Sequence, residues 1–301
     1  MQRFLTAIVI VGFFGTAFSA KAQMTSPSFE IRWDTIGDGG DDTSSSASYI
    51  LRDTTGATGA GPSSSTSFDL EAGYRAGVFD QVIDFSLFSE DSSSERDATA
   101  VAGTTVTCST DALLVGDMIA LIQDRGAAQV SAVGKIVSVG VGTVTVDEFV
   151  TAGTDPVIDS SNDYVVELSG ATTNLGELDS SEVSTSIVGM EVTADIDGGY
   201  VVQIMDDGDL SAGAETINDV ADGAVTAGSE EYGGRSSDTT LADSTFDTSD
   251  TAFTTSFQDI VSESGVQFDS RTFLTLKTTI SSTTADGIYS QSLTVIVSGN
   301  Y

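Results

Sequence analysis

The sequence predicts an all-β protein, an antiparallel β-sandwich that carries an inserted small β-barrel or roll module. Three observations support this fold class: short segments alternate apolar with polar residues, glycine-rich turns separate them, and helical periodicity is almost absent. With 31 glycines, 3 prolines and 40% hydrophobic residues among 301, the chain has the turns of a β-protein and enough apolar side chains for a core.

The first 22 residues have the three parts of a secretory signal peptide. A basic start ends at Arg3, an apolar run covers 4–14, and small residues surround Lys21 before a predicted cleavage after Ala22. The apolar run is too short to cross a bilayer comfortably, and no second long apolar run follows it. We therefore expect a secreted protein, extracellular or at the cell surface, with no transmembrane segment in the mature chain.

Residues 23–77 are predicted to form an N-terminal arm with a weak internal repeat. The segments Phe29–Arg32, Tyr49–Arg52 and Phe68–Glu71 recur about every twenty residues. Each starts with an aromatic residue, has an aliphatic residue in third place and ends with a charged one. Short strands joined by polar loops are the expected structure.

Residues 96–168 differ in composition, because valine, isoleucine and alanine rise there while serine falls. Short strands separated by glycines are predicted at 104–108, 117–122, 129–141, 143–150 and 164–168. So many strands in about seventy residues indicate a compact barrel or roll, inserted into a larger domain. Cys108 is the single cysteine, and its place in the first of these strands predicts a buried, small apolar side chain.

Residues 78–95 and 169–301 are predicted to form the discontinuous sandwich domain. Segment 79–88 alternates as a strand does, and the polar residues 89–96 are predicted to end it. Segments 190–196 and 200–204 alternate around Asp197-Gly198-Gly199, which indicates a β-hairpin. A helix is weakly indicated over 214–221, a long surface excursion over 233–256, and two strong closing strands over 274–280 and 289–301.

Charge and residue content exclude several classes of function. With 45 acidic and 11 basic residues the formal charge is −34, which disfavours nucleic acid and anionic lipid as partners. The chain has no histidine, which excludes histidine-based triads and histidine-ligated metals, and its single cysteine excludes an internal disulfide. Hydrolase and phosphate-binding motifs are also missing. We therefore expect a protein that is not an enzyme, and assign no catalytic or cofactor-binding residue.

Acidic turns are the candidate metal sites. Calcium is bound by carboxylate and carbonyl oxygens in flexible turns, so it is the possible ligand, although the spacing is not that of an EF-hand. Solvated acidic turns are the alternative, and a calcium-dependent rise in melting temperature would distinguish the two. The candidate residues are Asp38, Asp41 and Asp42 in one loop, Asp206, Asp207 and Asp209 in another, and Asp195 and Asp197 near the second.

Three short motifs carry a resemblance to a known family. They are Asn174–Leu178, the segment Gly198–Val202, and Ala285–Tyr289 followed by an alternating strand. Together they resemble secreted β-sandwich proteins of bacterial cell surfaces, broadly similar to WxL-type domains, over 24–95 and 165–301. The resemblance implies an Ig-like or WxL-like sandwich, although Trp33 is the only tryptophan and no Trp-x-Leu signature is present. The last strand also resembles the closing strand of fimbrial subunits.

These features predict a secreted, non-enzymatic bacterial cell-surface protein with a structural or adhesive role. Strands near both ends offer edges through which copies can pair, so a homo-oligomer or surface assembly is expected. A carbohydrate-binding or hydrolytic ectoprotein is the alternative, and an outer-membrane barrel is a third, because the chain ends in an aromatic residue after an alternating strand. The candidate aromatic platforms for a cell-surface glycan are Tyr74, Tyr200, Tyr232, Phe246 and Tyr289.

Overall fold

The structure is a computed structural model that describes residues 82–170 and 172–300 in full, together with the backbone of six short strands before them. The chain divides into two compact units, Met1–Asp80 and Gln81–Tyr301. The predicted signal peptide and the side chains of Asp38, Asp41, Asp42 and Tyr74 lie outside the described residues. In the described part of the chain, no helix has the length and apolar character needed to span a membrane.

The six strands of the first unit form antiparallel pairs of sequence neighbours. The strands Phe29–Ile31, Ile50–Thr55 and Asp69–Ala72 overlap the three repeated segments, so strands are confirmed at these positions. The pairs are β1 (Met24–Ser26) with β2 (Phe29–Ile31), β3 (Gly39–Ser45) with β4 (Ile50–Thr55), and β5 (Gly61–Ser64) with β6 (Asp69–Ala72).

The second unit contains strands and connecting segments, and no helix occurs among its described residues. The weak helical prediction for 214–221 is therefore wrong: Glu215–Ile217 is a short strand whose last side chain is buried in the core. The strands are β7 (Ile83–Ala102), β8 (Thr105–Cys108), β9 (Met118–Gln123), β10 (Val130–Val139), β11 (Thr143–Val146), β12 (Val150–Thr151), β13 (Tyr164–Leu168), β14 (Ser184–Ala194), β15 (Tyr200–Asp206), β16 (Leu210–Ala212), β17 (Glu215–Ile217), β18 (Glu231–Ser236), β19 (Gln258–Glu263), β20 (Gln267–Thr279) and β21 (Leu293–Gly299).

Six of these strands close into an antiparallel barrel, which confirms the small barrel predicted in the middle of the chain. Their order is β7, β8, β11, β10, β9 and β13, and β13 pairs back with β7. Alternate side chains such as Ile119, Leu121 and Val165 fill the interior. Cys108 is free and buried in the same interior, as its strand position predicted.

Strand β7 is shared between the barrel and a sheet. Its residues 83–89 pair with β14, and from Glu90 onward it pairs with β13 and then β8. The prediction that residues 89–96 end the strand is wrong, because their polar groups have partners elsewhere in the fold. Glu90 is buried against Arg125 at 2.8 Å, and Ser94 Oγ accepts the backbone N–H of Glu167. These partners are distant in sequence, so a local pattern does not reveal them.

Two antiparallel sheets share the largest core. One has the order β7, β14, β20, β18, and the other has the order β19, β15, β21. The predicted hairpin between β14 and β15 is wrong in its pairing, since both strands exist but each belongs to a different sheet. Side chains from both sheets meet in this core, including Met190, Val202, Tyr232, Ile260 and Leu274.

The opposite face of the four-stranded sheet packs on the outside of the barrel. Ile187 of β14 and Phe273 of β20 contact a group of barrel residues that includes Met118, Ala120 and Ile122. Strand β9 therefore buries both of its faces, which explains its unbroken apolar sequence MIALI.

The segment 233–256, predicted to be a surface excursion, is partly core. It begins within β18, and the rings of Phe246 and Phe253 are fully buried. Phe253 lies 5.3 Å from Tyr232 and 5.5 Å from Phe246, measured between ring centroids. The two phenylalanines thus fix an otherwise polar segment against the sheet.

Candidate functional site

A large cavity lies between the two sheets. Its volume is about 910 Å³. The cavity opens to solvent at its rim, where the lining residue Ile288 is 93% exposed. The walls from the four-stranded sheet include Leu87, Val188, Met190 and Leu276, and those from the other side include Ile204, Ile260 and Val295.

Two connecting segments form the rim of the cavity. One is 172–178, which follows the barrel, and the other is 280–292, which we call the strap because it links β20 to β21. Residues of the strap are held by specific contacts: Tyr289 donates its hydroxyl to the carbonyl of Ala285 at 2.8 Å, and Ser290 exchanges backbone hydrogen bonds with Ser211.

The acidic turn after β15 anchors the end of the strap. Gln291 Nε2 donates to the carbonyl of Gly208 at 2.5 Å and to Oδ2 of Asp206 at 3.3 Å. The backbone N–H of Ser292 donates to Oδ1 of Asp207 at 2.9 Å. Two of the residues predicted as calcium ligands therefore serve as hydrogen-bond acceptors for the segment that leads into β21.

Polar groups near this turn border the apolar walls. The Tyr232 side chain is 2% exposed and lines the cavity, and its hydroxyl has no hydrogen-bond partner among the described residues. The buried Oε1 of Gln291, another lining residue, also has none there. Burial raises the pKa of Tyr232, and the charges of Asp206 and Asp219 raise it further. An uncharged phenol donor and an amide acceptor are thus available at an apolar wall.

Carboxylates beneath this region have raised pKa values. Burial raises the pKa of Asp206, and the charges of Asp207 and Asp209 add to the effect. Burial, followed by the charges of Asp209 and Asp206, raises the pKa of Asp219 to about 6. Asp206 and Asp219 therefore bind protons more readily than solvated carboxylates do, whereas the hydrogen bond from the backbone N–H of Ser292 lowers the pKa of Asp207.

The predicted calcium residues are not all brought together. Asp195 and Asp197 precede β15, whereas Asp206, Asp207 and Asp209 lie at its other end, roughly 20 Å away at 3.3 Å per strand residue. Among residues 82–170 and 172–300, no group of three or more acidic or cysteine side chains is arranged to hold a metal ion. Calcium at Asp38, Asp41 and Asp42, or at the other turns, stays a prediction from the sequence.

The proposed aromatic sugar platforms are largely interior residues. Tyr200, Tyr232 and Phe246 are buried in the core, whereas Tyr289 is half-buried on the strap. Three of the five candidates thus have no face on the outer surface.

The edges of the two sheets differ between the two sides of the molecule. On the β18 and β19 side they are covered: the N–H groups of Tyr232, Gly234 and Ser236 donate to backbone carbonyls of neighbouring segments. The N–H of Ser262 in β19 donates to Asp238 Oδ2 at 2.8 Å. We call this the closed side.

On the other side lie β21 and the first part of β7, which we call the open side. Among the described strands, β21 pairs with β15 alone, and residues 83–88 of β7 pair with β14 alone. The N–H of Asn300 donates to Gly199, so in a regular antiparallel ladder Leu293, Val295 and Val297 direct their backbone groups away from β15. Both strands also line the cavity.

Sequence reasoning did not find the cavity. Its walls come from eight strands that alternate ordinarily, and the strand pattern does not show which sheet each strand joins. The sequence features that could have indicated the cavity were the motif 285–289 and the segment 174–178, because both form part of its rim. Comparisons with protein-family models, with curated proteins and with solved structures found no match for this chain.

Proposed function

We propose that the chain is a secreted, non-enzymatic surface protein with a structural or adhesive role, and that copies associate through the open side. The observation that carries the proposal is the contrast between the two sides. Side chains and backbone segments cover the edges of β18 and β19, whereas neither β21 nor residues 83–88 of β7 pairs outward with another described strand. Exposed strand edges are templates for pairing with another chain.

The sandwich expected from the sequence belongs to the same proposal. The four-stranded and three-stranded sheets contribute facing side chains to one core, as the two layers of a sandwich do. Strand addition at the open side would extend one layer and continue its ladder into the next copy. The signal peptide predicted from the sequence supports export, and the formal charge of −34 would keep free subunits from associating nonspecifically.

The experiment compares assembly with and without the outward edge of β21. Light scattering and electron microscopy are applied to residues 23–301, in millimolar calcium and in chelator. Val297→Pro removes one backbone N–H that points away from β15, and Val297→Ala is its matched control because it loses the same side chain but keeps that donor.

We expect defined oligomers or filaments from the parent chain and from Val297→Ala. The proline variant should be monomeric, while its melting temperature stays within a few degrees of the alanine control. A monomeric parent chain in both conditions, or a proline variant that assembles like the parent, would refute association through this edge. Loss of assembly in chelator alone would place calcium in the contact.

A further inference from the structure

The cavity between the sheets has the size and the walls of a ligand-binding site. Sites for small molecules are typically 300–1,000 Å³, mainly apolar, with a few polar groups that orient the ligand. This one measures about 910 Å³, and its walls are formed mostly by leucine, isoleucine, valine and methionine side chains. The strand walls can bury an apolar chain, whereas the two rim segments contribute most of the polar lining residues.

Charge restricts the class of ligand. The lining residues include no lysine or arginine, and the charged ones are Glu177 and Asp286 on the rim. Asp206, which accepts a hydrogen bond from the lining residue Gln291, adds a third acid beside the wall. An anionic head group would meet only like charges here, and a carboxylate in an apolar space without a cation is strongly disfavoured.

Two polar groups define what the head of the ligand can be. The Tyr232 hydroxyl can donate or accept a hydrogen bond, and Gln291 Oε1 can accept one. Both residues line the cavity, and the buried Oε1 of Gln291 has no partner among the described residues. The amide of Gln291 is oriented by its two acceptors, Gly208 O and Asp206 Oδ2, so the oxygen is the atom left for a ligand. A buried polar group without a partner is costly, and a ligand hydroxyl would remove that cost.

We propose that this cavity binds a long-chain amphiphile with an uncharged, hydroxyl-bearing head, whose chain lies between the sheets and whose hydroxyl meets Tyr232 and Gln291. A twelve-carbon alcohol needs roughly 400 Å³ at about 30 Å³ per heavy atom, which the cavity can hold. The polar groups of the site come from β18 and the strap, while the open-side strands β7 and β21 contribute wall residues such as Leu87 and Val295.

The test uses two probes that differ only in the head group, 1-dodecanol and dodecanoate, measured at pH 8. Each displaces Nile red, an uncharged dye whose fluorescence rises in apolar sites, and isothermal titration calorimetry gives the affinities directly. We expect dodecanol to bind with a dissociation constant on the order of 10 µM. Dodecanoate should bind at least about tenfold more weakly.

Variants of lining residues, each with a control, test where the probes bind. Tyr232→Phe removes only the hydroxyl and should weaken dodecanol about tenfold while leaving dodecanoate nearly unchanged. Tyr200→Phe is the matched control, since Tyr200 is equally buried but bonds Ser270 and does not line the cavity. Leu87→Trp, at a half-buried position of the cavity wall, should block both probes. Val141→Ser, at a fully exposed apolar position of the barrel, should change neither affinity.

Three outcomes would overturn the proposal. Absence of probe binding would mean that the cavity is closed or filled by a segment of the chain. If Val141→Ser abolished binding and Leu87→Trp left it unchanged, the dye would be bound on the barrel surface instead of in the cavity. Equal or tighter binding of dodecanoate, or of dodecylammonium, would contradict an uncharged hydroxyl head.

Discussion

Arg271 of β20 and Asp147, which follows β11 of the barrel, are joined by a two-pronged hydrogen bond. Arg271 Nη1 donates to Asp147 Oδ1 at 2.8 Å, and Nη2 donates to Oδ2. Arg271 Nε also lies 3.3 Å from Glu191 of β14, and Lys135 of β10 lies 3.2 Å from the same carboxylate. Four charges thus connect the sheet to the barrel, next to their apolar contact.

Replacing Arg271 with methionine should destabilise the second unit by about 2 kcal/mol, because it removes the ion pair of Asp147 and leaves Glu191 with Lys135 alone. The Arg271 side chain is 5% exposed, whereas that of Lys135 is 39% exposed. Lys135→Met is therefore the matched control, and it should cost less than about 1 kcal/mol. Urea denaturation followed by circular dichroism measures both. Equal losses of stability in the two variants would show that the burial of Arg271 does not determine how strongly its ion pair stabilises the fold.

The pH dependence of stability should contain two opposite contributions. Although burial raises it, hydrogen bonds from Arg271 and from the backbone N–H groups of Glu148 and Lys135 lower the pKa of Asp147 to about 2. Stability from this group is complete above pH 3.8 and is lost as the pH falls toward 2. Asp219 acts in the opposite sense: with a pKa raised to about 6, it favours the folded state when protonated, so stability should increase as the pH falls from 7 to 4.

Asp219→Asn should be more stable than the parent at pH 7 and should lose most of the increase between pH 7 and 4. General charge repulsion also weakens over this range, so Asp243→Asn is the control, because it removes the same charge at an exposed position. Thermal unfolding at pH 4, 5, 6 and 7 gives the comparison. Parallel curves for the two variants would mean that Asp219 has an ordinary pKa.

Strands were predictable from the sequence where one face is buried or where glycines frame them. The barrel strands β8, β9, β10 and β13 lie within a residue or two of their predicted positions, because Val, Ile and Thr are dense there and Gly116, Gly126 and Gly142 interrupt them. Pairing was not predictable in the same way. The turn at 197–199 has hairpin residues, yet β14 and β15 enter different sheets, since their partners β20, β19 and β21 come much later in the chain.

The sequence predicted less of the candidate site than of the fold. Asp206 and Asp207 stand in a glycine-containing acidic turn, a pattern shared by calcium sites and by solvated loops. Asp206 accepts the N–H of Gly208 within the turn, but the two carboxylates also bond Gln291 and Ser292, more than eighty positions away, which no local pattern indicates. Phe246 and Phe253 were isolated apolar residues in a polar stretch, and only tertiary packing shows that they belong to the core.

Gly189 of β14 packs closely against Leu168 of the barrel. A Cβ at this position would lie 2.8 Å from Cδ1 of Leu168 in β13, a residue that is itself buried. An alanine in a strand normally stabilises relative to glycine, by about 0.5–1 kcal/mol. Here Gly189→Ala should instead destabilise, by about 1–3 kcal/mol, because the packed leucine has to move.

A double-mutant cycle separates the two effects. In the background of Leu168→Ala, which removes the opposing methyl group, Gly189→Ala should become neutral or stabilising. Urea denaturation of the four proteins gives the coupling energy. Additive losses would show that the cost of the alanine comes from somewhere other than the contact with Leu168.

The anchoring of the strap by the acidic turn gives the last prediction. Gln291→Ala removes the hydrogen bonds to Gly208 and Asp206, so amide hydrogen exchange in the strap should become faster while exchange in the barrel stays unchanged. Gln203→Ala is the matched control, because its Nε2 bonds Asp259 at 2.7 Å on the neighbouring strand pair and does not reach the strap. Mass spectrometry of peptides covering 280–292 and 118–139 measures both regions. If the two variants accelerate exchange in the strap equally, the side chain of Gln291 is not its anchor, and the backbone bonds of Ser290 and Ser292 hold it instead.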